Sequence, residues 1–211
     1  MTNKKLGNLF IISAASGAGK TTLVREILEH NVDIALSISH TTRQPRPGEI
    51  DGKDYYFVTD TAFNNMKKEG KFLETANCHG ALYGTSKDIV QDVQDAGKDI
   101  IFEIDWQGAF SIKAIFPEAI SIFILPPSLK KLEERLTARG QDSDATIKAR
   151  LSAAKSEMSH IDQFDYVTIN DNFEKALFDL KTIINFKPEA SKLKTKNQIL
   201  NYKNLIDGLK R

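Results

Sequence analysis

A chain of 211 residues can bury one substantial core with a smaller lobe attached, and a single folding unit is the default at this size. Hydrophobic residues make up 41% and charged residues 27%, which excludes a disordered or low-complexity chain. Its 29 basic and 28 acidic side chains leave a formal charge of +1, so no basic surplus recruits a nucleic acid, and an anionic ligand must be met by locally placed cations.

The lone cysteine, Cys78, rules out an intramolecular disulfide. After a short polar start, Met1–Gly7, the apolar run Leu9–Ala15 is too brief for a signal peptide or a membrane span. A cytoplasmic protein with no nucleic-acid or membrane partner is expected, and no oligomer is predicted. In chain order, Leu9–Ser13 (LFIIS) predicts a strand buried on both faces. Glycines follow at once, and from Lys20 the apolar positions Leu23, Ile27 and Leu28 recur at helical spacing, so a glycine turn joins strand to helix.

Residues Ser37–Thr85 are rich in Thr, Arg, Pro, Gly and Tyr. Alternating pieces at Tyr55–Val58 and Phe72–Ala76, with a helix at about Ala62–Lys68, predict a small inserted lobe of mixed strands. Buried strands return at Ile100–Asp105, Ala119–Leu125 and Tyr166–Ile169, each followed by an apolar-periodic segment. Ser128 and either Asp171 or Asn172 are candidate caps for two of those helices, with Gly140 stopping the first. Lys187–Arg211 is Lys- and Asn-rich and reads as a C-terminal helix or tail. The alternation predicts an α/β fold with a parallel sheet.

The sequence Ser16-Gly17-Ala18-Gly19-Lys20-Thr21 sits at the strand-to-helix junction that a phosphate-binding P-loop requires. There backbone N–H groups and a helix N-terminus converge on phosphate oxygens, Lys20 adds charge and the Thr21 hydroxyl can reach Mg²⁺. The position six before the lysine, glycine in the full pattern, is Ala14, so only the inner half matches; a Gly-rich turn with a solvated lysine is the bland alternative. Arg43 and Arg46, three apart on a proline-stiffened turn, suit bidentate capture of a mononucleotide phosphate. Glu103 and Asp105 project from the same face of a strand end, either to hold the waters of Mg²⁺ or to contact the acceptor. His30, His40, His79 and His160 show no metal-ligand spacing.

With Ser37–Arg46 (SISHTTRQPR), the chain resembles the guanylate kinase family. The resemblance continues through Pro47-Gly48-Glu49, Asp51–Phe57, Phe72-Leu73-Glu74, Tyr83-Gly84-Thr85, Ile104–Gly108 and Arg139-Gly140. It implies a P-loop NTPase-type three-layer fold over residues 7–186: a core of 7–33 and 87–186, a mixed α/β GMP-binding insert at about 34–86, a helical lid at about 129–155, and 187–211 appended. It implies transfer of the γ-phosphoryl group of ATP to GMP with Mg²⁺. Ser39, Arg43, Arg46, Tyr55 and Tyr83 would hold the GMP phosphate, Glu74 and Thr85 would face guanine, and Glu103 and Asp105 would complete the acceptor site.

On the donor side, Ala14, Ala15, Ser16, Gly17, Ala18, Gly19, Lys20, Thr21 and Thr22 would cradle ATP, with Asn170 near its base. Thr21 would meet the metal, and Asp105 is a candidate to reach it through water. Arg135, Arg139 and Arg150, with Lys20, would be catalytic, the arginines reaching the phosphoryl group only as the lid closes. A solvated helix face paired with Glu133 and Glu134 is the alternative. Two rival functions remain: a kinase of the same fold acting on another phosphorylated small molecule, and a non-catalytic protein-binding module. Glu74 with Thr85 speaks against the first, and the intact Gly17-Ala18-Gly19-Lys20-Thr21 run against the second.

Overall fold

The apolar run Leu9–Ala14 forms β1, with all but its last residue buried, and Lys20–Glu29 forms α1, which buries Leu23, Val24 and Ile27. The structure is a computed structural model that describes residues 7–78, 80–138, 140, 143–186, 188–201 and 207–208. The chain divides into two compact units within β1: one takes the chain through Ile11 with Asn31–Ala119, the other Ile12–His30 with the chain from Ile120 on.

The first unit contains β2 (Ile34–Leu36), β3 (His40–Thr41), β4 (Tyr56–Phe57), α2 (Asp60–Lys68), β5 (Phe72–Cys78), β6 (Ala81–Ser86), α3 (Lys87–Asp95), β7 (Asp99–Glu103) and α4 (Trp106–Ile115). β7 lies between β2 and β1, and runs parallel to β2 with Ile34 opposite Asp99. A second, mixed sheet has the order β4-β3-β6-β5. Its antiparallel β5–β6 register sets Glu74 opposite Thr85 and Ala76 opposite Tyr83. Gly84, between those two β6 residues, needs its missing side chain: a Cβ there would stand 3.0 Å from the Phe72 ring and 3.1 Å from Phe63, which stack at 4.7 Å.

The second unit adds β8 (Ile120–Leu125), α5 (Leu129–Ala138), α6 (Asp144–Met158), β9 (Tyr166–Ile169), α7 (Phe173–Ile184) and α8 (Thr195–Asn201), with 3₁₀ turns at Ile161–Gln163 and Pro188–Leu193. β8 lies between β1 and β9 and pairs with β9 in parallel. Continuous burial of β8 follows from its unbroken Ile/Phe/Leu run, as in strands covered on both faces.

Side chains set the helix starts. Thr59 accepts from Ala62 N, so α2 begins at Asp60, ahead of the apolar pattern. Ser128 Oγ accepts from Lys131 N, and Asn172, of the two candidates, caps α7 by accepting from Lys175 N. β6 and α3 have no counterpart in the apolar pattern of the sequence: Gly84 interrupts the alternation of the strand, and α3 buries only Val90. No helix among the described residues is long and apolar enough to cross a membrane.

Candidate active site

In the second unit the loop between β1 and α1 is built by its glycines and braced by later elements. Gly17 has φ 91° and Gly19 φ 94°, values L side chains rarely adopt. A Cβ on Gly19 would come within 2.5 Å of Asn170 Nδ2, so neither position tolerates a side chain. The Ala18 N–H turns back to the Ala15 carbonyl at 2.9 Å. As N-cap, Gly19 offers no side-chain hydrogen bond, which leaves the first turn of α1 suited to an anion. Lys20 opens that helix half-buried, and Thr21 beside it is exposed.

Residues from later elements hold this loop. Asn170, buried at the end of β9, donates its side-chain amide to the Ala18 carbonyl at 2.7 Å, so it acts on the loop that would hold a ligand. Arg135 of α5 donates through Nη2 to the Asn170 carbonyl at 2.8 Å, and through Nη1 to the Ala18 carbonyl at 3.5 Å. Arg150 of α6 donates through Nε and Nη2 to Ser16 Oγ at 3.3 and 3.2 Å. Both arginines therefore already rest on residues of the loop or of its brace. Arg139 lies outside the described residues. Gly17, Gly19, Thr22, Arg135, Ala138, Asn170, Asp171 and Phe173 line a cavity beside the loop, with an aromatic ring and a guanidinium for a flat base to stack on.

In the first unit two groups of side chains assemble. Arg43 sends Nε to the Tyr83 hydroxyl at 3.2 Å and lies 5.3 Å from the Tyr55 ring, which meets Tyr83 edge-on at 5.9 Å. Ser39 is buried nearby in sequence, and Arg46 is exposed on the following turn. The Tyr55 hydroxyl is pushed far above its ordinary pKa by burial, with the charge of Glu103 adding to the shift, so it is a neutral donor at any working pH.

The second group is built on a buried carboxylate. Glu74, only 7% exposed, accepts the Thr85 hydroxyl at 2.6 Å through Oε1. Burial, and next the nearby charge of Asp105, push its pKa up to about 7, against the Thr85 hydrogen bond. The Thr85 proton is thus directed at Glu74. Asp105 caps α4, its Oδ1 accepting from Gly108 N at 2.8 Å. A Cβ on Gly108 would stand 3.1 Å from Glu74 Oε2 and 3.3 Å from Asp105 Oδ1, so the missing side chain keeps the approach to both carboxylates open.

A P-loop, a buried carboxylate–threonine pair and an arginine–tyrosine cluster are the combination that the resemblance implies, and comparison with known proteins decides the family. The guanylate kinase family model matches residues 6–187. The chain belongs to the guanylate kinase family. It is 52% identical to a guanylate kinase of Methylobacillus flagellatus over 203 residues, 96% of this chain and 98% of the relative. It is also 52% identical to one of Pseudomonas fluorescens over 203 residues, 96% and 97% of the two chains. The crystal structure of guanylate kinase from Anaplasma phagocytophilum superposes with a TM-score of 0.71 at 31% identity, covering 96% of this chain and 95% of that one. The α/β fold with a parallel sheet that the alternation predicts, of the P-loop NTPase type that the resemblance implies, is thereby established.

Two acidic residues to which the sequence reading gives no role are brought out by the geometry. Glu157, buried on α6, accepts the Ser16 N–H at 2.7 Å, two helical turns after Arg150 and so on the same face. Glu49, between Gly48 and Ile50, bonds to both arginine positions of the first unit. For Glu157 the available sequence signal is the seven-residue spacing to Arg150; for Glu49 it is the short distance to Arg43 and Arg46.

Proposed function

We propose that this protein phosphorylates GMP with ATP, giving ADP and GDP, in keeping with its family. The observation that carries the reading is the Glu74–Thr85 pair. Guanine presents N1–H and a 2-amino group that one carboxylate accepts together, whereas adenine presents an acceptor at N1 and would be repelled. Thr85 occupies Oε1, and Oε2 faces the space that Gly108 leaves clear. With MgATP the protein is expected to turn over GMP far faster than AMP, CMP or UMP in an ADP-release assay; comparable rates with AMP would overturn the reading.

On this reading residues about 34–86 serve as the acceptor lobe and about 129–155 as the lid. Ser39, Arg43, Arg46, Tyr55 and Tyr83 bind the GMP phosphate, with Glu103 and Asp105 at the edge of the guanine site. Ala14–Thr22 and Asn170 hold ATP. Among the described residues no three His, Cys, Asp or Glu side chains form a metal-binding group. The Thr21 hydroxyl and the Asp105 carboxylate are oxygen donors of the kind Mg²⁺ takes, since it prefers phosphates, water and one or two protein oxygens to an all-protein cage. Thr21 would hold it, with Asp105 reaching it through water, and when bound it would supply charge neutralisation to the phosphates of ATP. The protein's own part is positioning and charge: Lys20 and the loop orient the donor, the arginine–tyrosine cluster orients the acceptor, and Arg135 and Arg150 meet the charge that develops during transfer.

The titration of Glu74 gives this reading a pH signature. Guanine needs the ionised carboxylate, and the folded-state pKa near 7 leaves much of the ligand-free protein protonated below that pH. The KM for GMP is expected to fall as pH rises from 6 to 8 and then level off. GMP's own phosphate titrates near about 6, in every variant alike. Glu74→Gln should lose the step near 7 and reduce kcat/KM for GMP roughly 10- to 150-fold, as expected for hydrogen bonds to a charged group worth about 1.5–3 kcal/mol. An unchanged GMP-over-AMP ratio in that variant would place base recognition elsewhere.

A further inference from the structure

Arg43 is a long side chain that loses rotamer entropy when fixed, so a clamp built on it works best if something holds it before the ligand arrives. Three of its five N–H donors are engaged. Nε donates to the Tyr83 hydroxyl at 3.2 Å, Nη1 to the Gln44 carbonyl at 2.7 Å and Nη2 to Glu49 Oε1 at 2.8 Å. The other oxygen, Glu49 Oε2, accepts the backbone N–H of Arg46 at 2.7 Å, and the Glu49 N–H returns to the Arg46 carbonyl at 3.0 Å. One carboxylate therefore ties the guanidinium of the first arginine to the backbone of the second. The turn between them passes through Gly48 at φ 86°, a conformation that brings Glu49 back over Arg46.

This is not an ordinary surface ion pair. Side-chain exposure is 18% for Arg43 and 19% for Glu49, well removed from the solvated pairs whose coupling is about 0–1 kcal/mol. By charge alone, a carboxylate beside a site for a dianionic phosphate weakens binding. What offsets that repulsion is order: with Glu49 in place the guanidinium fork is fixed between Tyr83 and the turn, and two N–H donors remain for a ligand.

We propose that Glu49 is a positioning residue for the acceptor's phosphate, presetting Arg43 and the Arg46 turn so that the phosphate of GMP meets an ordered clamp. The inference rests on the GMP-kinase reading. It is distinct from the alternative in which Glu49 is a stand-in for the phosphate that must be displaced from Arg43.

The test is steady-state kinetics of Glu49→Ala and Glu49→Gln beside the unmodified protein, with guanosine, which lacks the phosphate, as a competitive inhibitor. Both variants are checked by circular dichroism and thermal melting, and the near-isosteric Gln variant keeps the test usable if the Ala variant misfolds. The expected result for Glu49→Ala is a KM for GMP raised about 10- to 100-fold, with the KM for ATP and the Ki of guanosine little changed and kcat reduced only a few-fold. Glu49→Gln, which keeps one acceptor, should fall between. An unchanged KM for GMP would overturn the inference. So would a lower KM, which would make Glu49 the phosphate's competitor, or an equal rise in the Ki of guanosine, which would mean a general loosening of the lobe. Failure of the unmodified protein to phosphorylate GMP would instead remove the functional reading itself, and this inference with it.

Discussion

Arg150→Ala is expected to lower kcat by about 10³-fold, the low end for an arginine that stabilises a transferring phosphoryl group, while the KM values for ATP and GMP change only a few-fold. The physical basis is where Arg150 lies in the structure, with its guanidinium on the loop between β1 and α1. Two of its donors rest on a neutral hydroxyl, Ser16 Oγ, at 3.2–3.3 Å, a contact weaker than the charge-assisted bonds the same fork makes to phosphate oxygens. The gain from contact with phosphate is greatest when charge is most concentrated on the transferring oxygens. An interaction realised mainly in the transition state appears in kcat and not in KM. Arg135 should show a mixed effect, because its Nη2 bond to the Asn170 carbonyl also braces the loop that binds the donor. Full kcat in Arg150→Ala would reduce Arg150 to a strut between α6 and Ser16.

The parts of the fold that are legible in the sequence are those fixed by local pattern. Leu9–Ala14 followed by two glycines and an amphipathic helix can hardly be read otherwise, because a buried strand, a positive-φ turn and a helix start each leave a local signature. The acceptor lobe is harder. Its cross-strand partners Glu74 and Thr85 are eleven residues apart in sequence, and only the β5–β6 register brings them together.

Harder still are the braces of the donor loop. Ser16 and Glu157 are 141 positions apart, and Ala18 and Asn170 are 152 apart, distances over which periodicity carries no information. The same limit explains why Arg135 and Arg150 suggest from sequence a lid that waits to close: their spacing reveals a helix face but not that the face already lies on the loop. Glu49 is a different case. It is close in sequence to its partners, yet a carboxylate near two arginines looks like a solvated turn until the Gly48 conformation folds it back onto them.

Lys20→Met is expected to lower kcat by about 10²–10³-fold or more, the range for losing one preorganised donor aimed at developing charge, and to raise the KM for ATP as well. Lys20 is the first residue of α1, behind a loop whose glycines exclude side chains, so its ammonium is the formal positive charge of the loop itself. Methionine has nearly the same helix propensity and length, and α1 is held by Leu23, Val24 and Ile27 in the core. The circular dichroism spectrum and melting temperature should therefore stay close to those of the unmodified protein, which separates lost charge from lost fold. Retention of kcat within tenfold would take the lysine off the donor's phosphates and reopen the reading of the loop as a glycine turn. Combination with Arg150→Ala sharpens the result. If both cations act on the same developing charge, the double variant should lose less activity than the product of the single losses, because each single change already removes part of a shared stabilisation. Strict multiplicativity would mean that the two groups act independently.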